Sequence, residues 1–252
     1  MFARNCLVRL FFVAALAAAP AYAGVVTTIA SPPERASLLE LYTSEGCSSC
    51  PPAEAWFSQL KTDPRLWRQL VPVAFHVDYW DHLGWRDRFA KAEFSERQQE
   101  YQRANAIKVV YTPGLVLNGH EWRGWFDRKP ISELAPQKVG VLEAKFSESG
   151  AAVEFTSLQR ANAPLVLHVA WLGFDLATAV GGGENGGKTL KHDFTVLDTR
   201  ALTQVAAGNH YSWRFVGKAP PAGQAPGPRA VALWVTELGD ATPIQATGGW
   251  IP

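Results

Sequence analysis

Apolar positions recur in two different rhythms along the chain, and the change falls near residue 136. Before it, short apolar runs alternate with segments of helical spacing. Residues 37–42 (SLLELY) make an apolar run of strand length. Pro51 and Pro52 follow where the first turn of a helix tolerates proline, and Trp56 and Leu60 continue that helix at i, i+4 on one face. Residues 71–77 (VPVAFHV) predict the next strand, and the polar stretch 86–105 predicts a second helix in which Ser95 and Gln98 form a capping box. Leu115-Val116-Leu117 then enters Asn118-Gly119, a hairpin-turn pair. Strand, helix, strand, helix, strand is the order of an α/β unit.

Beyond residue 136 the rhythm is that of strands alone. Apolar alternation or short apolar runs occupy 139–146, 152–156, 164–172, 194–197, 211–216 and 230–236, with turn-rich stretches between them at 181–187 and 220–228. The expected architecture is an α/β domain over 37–136, with a helical insertion, followed by an all-β, sandwich-like C-terminal domain over 137–252. Residues 1–23 read as an export signal: Arg4 and Arg9 precede an apolar run over 10–19, and Ala21-Tyr22-Ala23 supplies a cleavage triplet. That run is too short to span a bilayer, and no later stretch approaches 18 apolar residues. The expectation is an exported protein, periplasmic or secreted, with a linker over 24–36 and no transmembrane anchor in its mature form.

Charge narrows the partners: 24 Lys+Arg against 23 Asp+Glu, without a long basic run, argue against a nucleic-acid surface. The three cysteines are more informative. Cys6 departs with the export signal, which leaves Cys47 and Cys50. They lie between a predicted strand and a predicted helix, where the positive end of the helix dipole stabilises a thiolate, and two intervening residues let the second sulfur resolve a mixed disulfide formed at the first. Thiol–disulfide exchange with a client protein or small thiol is the first reading. A metal site recruiting His76, Asp78 or His82 and an inert clip across a turn are the alternatives, but no second CxxC or spaced histidine pair completes a four-ligand set, so no metal or cofactor is expected. A non-catalytic module that binds a metal, glycan or envelope protein is the corresponding second function.

A proline in Thr112-Pro113, ahead of the Leu115-Val116-Leu117 run, marks a special backbone position. With the CxxC turn, it resembles the thioredoxin and glutaredoxin superfamily, in which a Thr-Pro or similar pair with a cis peptide bond sits beside the cysteines. The resemblance covers about residues 37–128 and implies a thioredoxin-like fold for the α/β domain, with Thr112 and Pro113 shaping the docking edge and Glu40 as a buried acid moving protons for the second thiol; the alternative for Glu40 is a strand-edge carboxylate in water. The whole chain is more similar still to an exported bacterial family of thioredoxin-like proteins of unknown function. The residues that carry this likeness are 42–52 (YTSEGCSSCPP), 76–81 (HVDYWD) with Leu83-Gly84-Trp85, Tyr111-Thr112-Pro113, and Gly183-Glu184-Asn185 with Gly187 and His192. Two departures stand out: Gly46 replaces the Trp that precedes the first cysteine in thioredoxin, and Ser48-Ser49 replaces Gly-Pro.

Other groups of the site are candidates for a substrate groove. His76 and Asp78 share one face of the predicted strand at its ligand-facing end, either as functional groups or as a hydrogen-bonded pair organising the segment after them. Tyr79, Trp80 and Trp85 either line a groove beside the cysteines or fill the core. Glu184, Asn185 and His192 join these candidates through the glycine-rich segment. Residues 182–189 (GGENGGKT) match a phosphate-loop expression, but the chain continues as extended structure where phosphate binding requires a helix, so no nucleotide is expected.

Overall fold

The computed structural model describes residues 25–131, 137–147, 149–159, 163–205, 208–216 and 227–251. The expected export signal, Cys6 and most of the turn-rich stretch 220–228 lie outside the described residues. The first half contains β1 (Val25–Ala30), β2 (Ser37–Thr43), α1 (Cys50–Ser58), β3 (Leu70–His76), α2 (Ala92–Arg103), β4 (Gly114–Leu117) and β5 (His120–Glu121). Strands dominate the second half: β6 (Gly140–Ser147), β7 (Gly150–Ser157), β8 (Leu165–Gly173), β9 (Leu176–Ala179), β10 (Thr189–His192), β11 (Thr195–Gln204), β12 (His210–Val216), β13 (Arg229–Glu237) and β14 (Gln245–Ile251).

An α/β thioredoxin-like domain followed by an all-β domain is not what forms. The described residues are mostly strand, with two α-helices, and an eight-stranded sheet in the order β14-β13-β8-β11-β3-β2-β4-β5 runs through both halves of the chain. The halves join where β11 pairs in parallel with β3, Thr195 opposite Ala74, and the Ala74 N–H donates to the Phe194 carbonyl at 2.9 Å. Pro72 lies two residues earlier in β3, so its nitrogen faces the same side but brings no N–H, and the pairing cannot extend towards Asp193; in the other direction the His76 carbonyl accepts from the Lys91 N–H instead.

A second sheet, β1-β6-β7-β12, lies against one face of the first. The period-2 alternation of the long strands divides their side chains between two cores. Leu167, Val169, Val231, Leu233 and Val235 meet Leu142, Val153 and Phe155 of the second sheet, while Ala170, Leu172, Ala230, Ala232 and Trp234 turn to the face covered by α1 and α2. The central strands β2 and β3 are buried along their whole length, which explains why neither alternates apolar and polar positions.

The local signals fare unevenly. Asn118 and Gly119 take φ of 51° and 84° between β4 and β5, the doubly positive form that this pair favours, and Asn118 Oδ1 accepts from the Leu38 N–H at 2.9 Å. The capping box does not form. The helix begins at Ala92 after an extended Lys91, and Ser95 and Gln98 lie inside it and serve tertiary bonds: Ser95 Oγ to Asp78 Oδ1 at 2.5 Å, and Gln98 to Tyr79 and the Tyr111 carbonyl. Residues 86–91, included in the expected helix, lie outside it.

One ring in the large sheet gives stability a pH dependence. His168 of β8 stacks on Trp234 with 3° between the planes. Burial, aided by the Arg97 charge, lowers its pKa from 6.5 to about 3. The unfolded chain therefore binds a proton that the folded one refuses, so this contribution is whole above about pH 6.5 and is lost as pH falls toward 3. Urea midpoints across that window should fall more steeply for the native protein than for His168→Gln; parallel curves would refute the assignment.

Candidate functional site

The turn between β2 and α1 carries the cysteines. Cys47 and Cys50 form a disulfide with their Cα atoms 5.5 Å apart, and Cys50 is the first residue of α1. Pro51 and Pro52 open the helix as the sequence predicts. They also lack N–H groups, so the first turn offers fewer donors to a thiolate than an ordinary helix; what remains is the dipole and the Ser49 hydroxyl, 3.3 Å from Cys47 Sγ. Both cysteines are buried, whereas Ser48 and Ser49 between them are exposed.

The turn is strapped by the glycine-rich segment of the second half. Asn185 Nδ2 donates to the carbonyls of Glu45 and Cys47, both at 2.9 Å, and Glu184 Oε2 accepts from the Ser48 N–H at 2.9 Å. Hydrogen bonding from Ser48 holds the Glu184 carboxyl below its usual range. Strand β10 (Thr189–His192) stands where a phosphate loop would need a helix starting at Lys188.

Thr112-Pro113 is a cis peptide, and Trp80 ties it to the cysteine turn. The indole Nε1 donates to Thr112 Oγ1 at 2.8 Å, while the Trp80 Cβ lies 3.1 Å from where a Gly46 Cβ would stand. A tryptophan at position 46 would meet that side chain, so Gly46 and Trp80 are complementary. Beside them is a cleft of about 370 Å³ whose lining includes Ser49, Tyr111, Thr112, Pro113, Arg123, Trp125 and Phe126.

Beneath the turn, Glu45, Glu54, His76, Asp87 and His192 are all buried. Glu54 stands one helical turn after Cys50 and accepts from Thr43 Oγ1 at 2.5 Å, and its other oxygen lies 2.5 Å from His192 Nδ1. His76 Nδ1 lies 2.7 Å from Asp87 Oδ2, which also accepts the Glu45 N–H. Burial opposes a charge on His192, but Glu54 and Glu45 outweigh it and raise its pKa to about 10. For Glu54 and Asp87, burial would raise the pKa, yet the imidazole partners and hydrogen bonds bring both below the usual carboxylate value.

The other expected residues take distinct places. Glu40 is buried, not in water, and its carboxylate engages Arg97, Tyr42 and Tyr101. His76 and Asp78 do not form a pair: β3 ends at His76, which turns to Asp87, while Asp78 lies beyond the strand and bonds Ser95. Tyr79 and Trp80 pack partly buried against the larger core, and Trp85 Nε1 donates to Glu45 Oε2 at 2.7 Å. Glu54, Asp87 and the cleft residues Arg123, Trp125 and Phe126 escaped sequence reasoning. The i, i+4 spacing of Cys50 and Glu54 was a usable signal; for Asp87 there was none.

These features define a β-rich sandwich protein whose helix-start disulfide lies over a buried carboxylate–imidazole cluster. The chain belongs to the family described as "Protein of unknown function (DUF1223)", matched over residues 38–236. Among solved structures it is similar to protein AGR_C_4864 from Agrobacterium tumefaciens, at 25% identity and a TM-score of 0.58 over 84% of this chain and 92% of that one. It also resembles HBP35 of Porphyromonas gingivalis in fold, at 16% identity and a TM-score of 0.54 over 86% of this chain and 75% of that one. No curated protein sequence matches it. Among the described residues no helix is long and apolar enough to cross a membrane.

Proposed function

We propose that this is an exported thiol–disulfide exchange protein acting through Cys47 and Cys50. The observation that carries the reading is the placement of the pair at the start of α1, with Ser49 lining a cleft alongside Thr112, Pro113 and the aromatic or cationic side chains of Tyr111, Arg123, Trp125 and Phe126. The local likeness to the thioredoxin and glutaredoxin superfamily at the CxxC and Thr-Pro segments supports the same chemistry. In the reducing direction the Cys47 thiolate attacks a client disulfide and expels one client thiolate; the Cys50 thiolate then attacks the Cys47 sulfur, expels the second and leaves the intramolecular disulfide. Two electrons pass to the client. Oxidation of a client dithiol is the reverse.

A second reading is an inert structural clip, favoured by the burial of both cysteines under the Asn185 strap. Equilibrating the protein with redox buffers of known poise, alongside thiol-driven insulin reduction and dithiol oxidation, separates the two. Exchange predicts turnover in one direction and a potential above about −300 mV; a potential well below that value with no turnover would leave only the clip.

A further inference from the structure

His76 and His192 lie far apart in sequence, yet their rings meet edge to face with centroids 5.0 Å apart in the buried layer beneath the cysteine turn. One donor atom each from Glu54, His76 and His192 falls within 4.8 Å of the others, and all three residues are buried. The three donors are His76 Nε2, Glu54 Oε2 and His192 Nδ1, the last two now joined by a 2.5 Å hydrogen bond whose proton an ion would displace, and each residue has its other polar atom anchored or faced by an outer group. Thr43 holds the second oxygen of Glu54, Asp87 lies 2.7 Å from His76 Nδ1, and Glu45 Oε1 stands 3.3 Å from His192 Nε2.

Imidazoles that bind a metal through one nitrogen and face a carboxylate with the other form a recurring arrangement, because the outer group fixes tautomer and orientation. His76 Nε2 provides the second observation: it is fully buried and has no hydrogen-bond partner in the protein, a costly state for a polar atom. Charge points the same way. Three buried carboxylates, Glu45, Glu54 and Asp87, surround only two imidazoles.

We propose that Glu54, His76 and His192 are the ligands of one divalent transition-metal ion of the zinc type, with Glu45 and Asp87 as the outer carboxylates. Nitrogen and oxygen donors with an open fourth position suit such an ion. The disulfide takes no part, so the site is independent of the exchange reading. Both can hold, and either can fail alone.

The test is calorimetric titration of the chelator-treated, oxidised full chain with Zn(II) alone, repeated on Cys47→Ser/Cys50→Ser. The expected result is one ion per chain in both, with a Tm that rises as Zn(II) is added. His76→Gln should abolish the binding, and Asp87→Asn, which keeps all three ligands, should weaken it by about 10–100-fold. Circular dichroism establishes that each variant is folded. No stoichiometric uptake by the native protein, or uptake that disappears with the cysteines and survives His76→Gln, would overturn the proposal, and the native titration decides even if both histidine-cluster variants misfold.

Discussion

Cys47→Ser is expected to abolish insulin reduction and dithiol oxidation, whereas Cys50→Ser should attack once and halt as a mixed disulfide recoverable by non-reducing electrophoresis. The asymmetry follows from position. Cys50 belongs to α1 and is fixed by the helix, while Cys47 lies in the preceding turn, beside the Ser49 hydroxyl. A sulfur must leave its buried position to meet a client, and moving the turn residue breaks the Asn185 and Glu184 bonds of the strap but leaves the helix wound. Full activity in Cys47→Ser would sink the exchange function. Trapping in Cys47→Ser but not in Cys50→Ser would reverse the roles and keep the function.

The second large effect concerns stability. Arg97→Ala should destabilise the fold by about 3–5 kcal/mol, because it strands the Glu40 carboxylate in the core without its counter-ion. The guanidinium donates to both Glu40 oxygens at 2.8 and 3.0 Å and lies over the Trp234 ring at 5.0 Å, with the two side chains 11% and 1% exposed. For a chain of this size the Tm should fall on the order of 10 °C. Glu40→Gln/Arg97→Met, which removes both charges and retains bulk, should lose much less. A double variant as unstable as Arg97→Ala would mean that packing and not charge sets the cost.

Particular residues show what the sequence made legible. Strands β2, β3 and β4, the proline-led start of α1 and the Asn118-Gly119 turn all rest on local signals, and each stands near its expected place. The capping box failed because Ser95 and Gln98 had a local alternative that tertiary partners outbid. Strands β9 and β10 are four residues each and β14 carries Gln, Thr and two glycines, so none stood out, while β1 lies in the stretch read as a linker. The shared sheet was invisible for a different reason: pairing between β3 and β11 depends on contact between distant segments, which periodicity does not encode. The same applies to the site. Cys47, Cys50 and Pro113 could be found from motifs, but Glu54 gains its meaning only from His192, and His192 only from the fold that brings it there.

Pro72 has a consequence for how the chain is made. During synthesis β2 and β3 emerge well before β11, and until Thr195 arrives the outer side of β3 is an exposed edge with apolar side chains on both faces. Such an edge is a template for pairing with another nascent chain. A proline whose nitrogen faces outward breaks that template two residues from Ala74. The residue that closes the native seam on its Asp193 side thus also leaves that edge one N–H short for as long as the second half of the chain is still being made.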